Sequence, residues 1–140
     1  MSHIQYPRLK ILQILDSLLS EVSANRFITS RPTATGASMQ DFLLIRLPQT
    51  IYDRGDTYQS TTGQIVVFAR DIQGSGENGV VVSGMENTLR LEQMQEQAMS
   101  LFPIKVKLFH AKRPRLLSGG TDGTGFHSII IQFHITIFKS

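Results

Sequence analysis

The chain has 140 residues, 41% hydrophobic and 18% charged, with a formal charge of +3 and no cysteine. That length suits one domain with a core of its own, taken here as residues 1–140, and the composition excludes a disordered chain. The absence of cysteine excludes disulfides, thiolate nucleophiles and cysteine-bearing zinc sites, while the mild basicity permits an anionic partner without requiring one.

In the opening MSHIQYPRLKILQILDSLLSEV, Leu12, Leu15, Leu19 and Val22 recur at helical spacing, flanked by Ile11 and Leu18. Lys10, Gln13, Asp16, Ser17 and Ser20 fill the other side, which predicts an amphipathic helix opened by Pro7. Gln13 and Asp16 break the apolar core that a signal peptide needs, and no stretch reaches membrane-spanning length. NRFITSRPTATGASMQ has no sustained period and reads as a long surface connection. DFLLIRLP and TGQIVVFARD read as two strands, antiparallel across the extended loop QTIYDRGDTYQST, a kind of loop usually kept for contacts. A second helix is expected from the capping-box spacing of Ser83 and Glu86, with Leu91, Met94, Ala98 and Leu101 on one face and Pro103 as its stop. Two more strands, IKVKLFH and GFHSIIIQFHITIFKS, are separated by AKRPRLLSGGTDGT. The last places Ile129, Ile131, Phe133, Ile135 and Ile137 on one face and Ser128, Gln132, His134 and Thr136 on the other, with Ile130 the apolar exception. The expected fold is α+β: a single mostly antiparallel sheet with two main helices packed on one face, in the order α-β-β-α-β-β.

The stretch VVFARDIQGSGENGVVVSG holds a G-x-G-x-x-G at Gly74, Gly76 and Gly79. A dinucleotide site needs a helix opening inside that motif and an acidic residue on the following strand. Here Val80, Val81 and Val82 precede the capping box, and Lys107 and His110 stand where the acid belongs. The motif is expected to be a glycine-rich turn between strand and helix, with no NAD, NADP or FAD and no other cofactor. The second cluster, SGGTDGTG from Ser118 to Gly125, lacks the G-K-[ST] ending of a phosphate loop and reads as a loop between antiparallel strands, with Asp122 and Gly123 as the turn pair. His110, His127 and His134 could join Asp122 around a metal, but His127 and His134 are seven apart on one strand and so on opposite faces; no metal site is expected. Ser118 or Ser128 beside a histidine is the remaining nucleophile pairing, and no catalytic residue is nominated. Lys105, Lys107, Lys112, Arg113 and Arg115 form a basic cluster in which Lys105 and Lys107 share a strand face that could meet phosphate. The competing reading is a solvated, lysine-guarded sheet edge, since only Phe109 interleaves with these cations as an aromatic.

The order of elements and the phrases RLPQTIYDRG, VVFARDI and HSIIIQFHITIF resemble, over nearly the full chain, the tail-completion or tail-terminator proteins of long-tailed bacteriophages and prophages. The glycine-rich loop at Ser118 has no counterpart in that pattern. The resemblance implies a non-enzymatic α+β subunit without chemistry of its own. It assembles into a homo-oligomeric ring, a hexamer, that caps the tail tube and meets other tail or connector proteins. Such a subunit is cytoplasmic during assembly, then part of the virion tail, and has no membrane partner. Long connections around Thr33, Asp53 and Thr121 are expected to reach neighbours, and deletion of part of RGDTYQSTT, around Arg54 to Thr62, is expected to leave the fold's thermal transition largely intact. Arg54, Asp56, Tyr58, Lys105, Lys107, Lys112, Arg113 and Arg115 are the candidate interaction surface. Two alternatives stand beside this: a small nucleic-acid-binding protein using the Lys105 to Arg115 cluster, and an enzyme or ligand-binding domain with its site built from the glycine loops.

Overall fold

The apolar stripe of the first segment forms helix α1 (Arg8–Leu18), with Ile11, Leu12 and Leu15 buried and the chain continuing inward at Leu19 and Val22. The structure is a computed structural model that describes residues 7–32, 36, 38–48, 51–55, 57–75, 81–121 and 124–138. After α1 come β1 (Arg26–Ile28), β2 (Asp41–Arg46), β3 (Tyr52–Asp53), β4 (Tyr58–Arg70), β5 (Ile72–Ser75) and β6 (Val81–Met85). Helix α2 (Thr88–Met99) follows, then β7 (Ile104–Lys105), β8 (Phe109–Thr121) and β9 (Phe126–Phe138). The larger sheet runs β1-β2-β4-β9-β8-β7, with β3 added to β4. Its pairings are antiparallel except β1 on β2, and β5 and β6 form a separate two-stranded ribbon. The fold is thus α+β with two helices and a mostly antiparallel sheet.

Side-chain alternation along the long strands decides what each face holds. On one face Leu43, Ile45, Ile65, Val67, Ala69, Ile131, Phe133, Ile135 and Ile137 meet α1 through Leu12, Leu15 and Leu19 and α2 through Leu91, Met94 and Ala98. Ile129 is half-buried against the same cluster, so the odd-numbered residues of β9 face the helices as the alternation requires. On the other face Phe42, Leu44, Val66, Phe68 and Phe126 make a second cluster, joined by Phe27, Met39 and Ile130. Phe42 stacks on Phe68 with ring centroids 4.3 Å apart and meets Phe126 edge-on at 5.1 Å. The guanidinium of Arg31 lies 4.9 Å from the centre of the Phe68 ring and that of Arg70 4.6 Å from Phe126. This second cluster gives Ile130 its place: the break in alternation is an apolar contact on the far side of the sheet.

Several expectations are corrected. The connection after α1 contains β1, whose Arg26, Phe27 and Ile28 lie parallel to Leu43, Leu44 and Ile45; Thr33 lies outside the described residues. The loop between the first two long strands is largely strand, because β4 begins at Tyr58 and runs beside β9 from Phe138 to Phe126, with Tyr52 and Asp53 paired to Ser60 and Gln59. Gln59, Ser60 and Thr61 are buried, so removal of Arg54 to Thr62 would take out sheet and not a dispensable loop. Ser83 lies within the strand β6, and the N-cap of α2 is Asn87, whose side chain accepts from the Arg90 amide at 3.3 Å. The glycine motif stands between two antiparallel strands and not between strand and helix: Gly74 is in β5, while Gly76, Gly79 and Val80 lie outside the described residues. The segment between the last two expected strands is strand as far as Thr121; Asp122 and Gly123 lie outside the described residues. Pro114 is accommodated because the register between β8 and β9 shifts between Lys112 and Arg115, and a bulge is where a sheet tolerates proline.

Candidate functional site

Cross-strand partners share a face, so the register places every side chain on the side of the sheet away from the helices. One row runs Lys105, His110, Thr136, Ser60 and Tyr52, across β7, β8, β9, β4 and β3. The next runs Lys112, His134 and Thr62, and a third runs Arg115, Gln132, Gln64 and Arg46. Tyr58 and Phe138 pair at the end of the same face, and the Phe138 ring meets His110 edge-on at 4.7 Å. At one end the face is thus the phenylalanine cluster, and at the other it is cations, amides and aromatic rings.

The bulge in β8 puts Arg113 at φ +57, beside this face and between Lys112 and Pro114. Arg54 follows β3, donates from Nε to Ser60 Oγ at 2.9 Å, and sets its guanidinium 5.3 Å from the centre of the Tyr52 ring. In the third row Arg46 donates to Gln64 Oε1 at 2.7 Å, and Gln64 Nε2 donates to Gln132 Oε1 at 3.2 Å. These two bonds fix both amides. The Arg46 Nε is buried, yet has no acceptor among the described residues. Among the same residues no ion pair engages Lys105, Lys112, Arg113 or Arg115.

Two hollows mark the face. One, of about 170 Å³, is bordered by Thr62, Arg113, Arg115, Gln132, Phe133 and His134. The other, of about 370 Å³, is bordered by Arg46, Leu47, Pro48, Thr62 and Gln64. Both border Thr62, so the two hollows adjoin on β4, and the grooved part of the face lies there. Burial, then the positive charges of Arg113, Lys112 and Arg54, push the His134 imidazole below its ordinary pKa of 6.5. Burial is the larger cause, and the three cations add to it.

Of the residues expected at an interaction surface, Arg54, Tyr58, Lys105, Lys112, Arg113 and Arg115 converge on or beside this face. Lys107 does not: β7 ends at Lys105, and Lys107 sits exposed in the turn before β8, so the two lysines do not share a strand face. Asp56 lies outside the described residues. Arg46, Tyr52, Gln64, Gln132, His134 and Phe138 join the site without having been singled out together. The polar stripe of β9 is visible in the sequence, but its register against β8 and β4 is a tertiary fact.

The histidines do not gather. His127 Nδ1 meets the Asp71 carboxylate at 2.5 Å, and the Asp71 amide donates to the Gly125 carbonyl at 2.8 Å, which ties the start of the β5–β6 ribbon to the start of β9. Ser128 Oγ is directed instead to the Gly120 carbonyl at 3.5 Å. Among the described residues no group of three or more His, Asp or Glu is placed to hold a metal ion, and no helix is long and apolar enough to cross a membrane. The chain matches no protein-family model, and no curated protein sequence matches it significantly.

Proposed function

We propose that the chain is a non-enzymatic structural subunit of a phage or prophage tail, of the tail-terminator or tail-completion kind. It forms a ring, sixfold by that resemblance, at the end of the tail tube and contacts other tail or connector proteins there. Support comes from the sequence phrases noted above and from an α+β fold of two helices on a mostly antiparallel sheet. The observation that carries the reading is the β5–β6 ribbon. Among the described residues it pairs with no strand of the larger sheet, and it exposes Ile72 by 44% and Met85 by 41%. A two-stranded ribbon is marginal on its own, so a neighbouring subunit that packs against it gains stability for both. An arm that meets a different patch on the next copy makes a heterologous contact, the kind that closes into a ring.

The test is to replace residues 72–85 by a short Gly-Ser linker in the phage or prophage that encodes the chain. The remaining fold is expected to keep a cooperative thermal transition, while electron microscopy shows heads and tails that fail to join. Joined, infectious particles from that variant would refute the proposal.

A further inference from the structure

We propose that the helix-free face of the sheet binds a single strand of nucleic acid, its phosphates on Lys112, Arg113 and Arg115 and its bases against Tyr52, Tyr58 and Phe138. The inference stands on these side chains and is independent of the tail reading.

Charge decides the sign of the ligand. The three cross-strand rows bring Lys105, Lys112, Arg115 and Arg46 together, with Arg54 and Arg113 at their margins, and no carboxylate stands in any row. The hollow beside Arg113 and Arg115 adds the Thr62 hydroxyl and the Gln132 amide, neutral donors suited to a phosphate oxygen. Beyond the shared Thr62, Arg46 borders the second hollow and adds its positive charge.

The rings decide the class of polyanion. Tyr52 is 58% exposed, Tyr58 38% and Phe138 37%, on the same face as the cations. The carboxylates of an acidic protein segment gain nothing from the negative face of a ring, and a duplex keeps its base faces stacked inside. An unpaired strand offers bases to stack on aromatic side chains while its backbone follows the basic groove, an arrangement that tolerates any sequence.

The test is the fluorescence anisotropy of a labelled 12-nucleotide oligo(dT) against the full chain. Micromolar binding is expected, with a log–log salt slope of about −0.7 per phosphate neutralised, hence about −2 for three contacts. The double variant Lys112→Glu/Arg115→Glu, at exposed positions, should weaken binding by more than about tenfold. Arg113→Gly should also weaken it, and glycine suits the φ of +57 there, so this variant keeps the fold. Tyr52→Ala should cost about fivefold or more, the low end of one lost base stack. Lys10→Glu, exposed on α1 on the other side of the sheet, should change little. Four results would each overturn the proposal: no binding by about 100 µM at low salt; equal loss from Lys10→Glu; a matched duplex bound as tightly with Tyr52→Ala without effect; or a labelled poly-glutamate bound as tightly as the oligonucleotide.

Discussion

Gly63 shows how one missing side chain shapes the core. It pairs with Phe133 across β4 and β9, and an added Cβ would lie 2.7 Å from the Phe133 ring and 2.9 Å from Ile135 Cδ1. Phe133 is buried, with Phe102 4.9 Å away, so its ring must shift to admit a Cβ. Gly63→Ala is therefore expected to cost about 1–3 kcal/mol by overpacking, read from chemical denaturation. Phe133→Leu should be tolerated far better than Phe133→Asp, which buries an unpaired charge at a cost of several kcal/mol. His134 supplies a pH prediction. Its folded pKa lies below the unfolded 6.5, so the unfolded chain binds the proton more readily. The neutral imidazole's contribution is present above the unfolded pKa and is lost as pH falls through it toward the folded value. Thermal stability should drop between pH 7.5 and 5.5 by more in the wild type than in His134→Gln, and equal drops would contradict this assignment.

At the scale of elements, polar contacts set how α2 docks. Arg90 donates from Nε to Asp41 Oδ2 at 2.8 Å and from Nη2 to the Val22 carbonyl at 3.0 Å, while Ser23 Oγ donates to Asp41 Oδ1 at 2.6 Å. One side chain thus joins α2, the edge of β2 and the end of the first helical segment. Arg90→Met keeps the stem but loses these bonds, with an expected cost of about 2 kcal/mol in denaturant titration. The start of β4 belongs to the same scale. Tyr58 to Thr62 pair with Phe138 to His134, so deletion of residues 54–62 should lower the melting temperature markedly and not leave it intact. Much of this was readable: the periods of α1, α2 and β9 give their buried faces, because an amphipathic pattern repeats once per turn or once per pleat. The length of β8 was not, because Pro114 and Gly119–Gly120 read as breakers. Pro114 instead occupies a bulge, and Gly119 lies where a Cβ would strike Ser128 Oγ at 2.1 Å.

Across the whole molecule, one sheet serves two purposes. Its helix side is continuous core, and its other side divides into the Phe42 cluster and the basic, aromatic groove. Gly74 of the glycine motif lies in β5, and the strand β6, paired antiparallel to β5, follows the motif where a dinucleotide site would place a helix. NAD, NADP and FAD are expected not to bind; micromolar heat in a calorimetric titration with any of them would overturn that.

The two helices, the apolar strands and the face that β9 turns inward are legible in the chain itself, since they follow from local spacing and the side-chain period. It also displayed the cations from Lys105 to Arg115. Only the tertiary structure decided that Lys112 and Arg115 stand in rows with His134, Gln132, Gln64 and Arg46, that Tyr52 and Tyr58 share their face, and that Lys107 does not. Register between strands distant in the chain is fixed by the packing of the opposite, buried face. A one-residue slip would send every one of these side chains to the other side, and no local pattern in the basic segment carries that information.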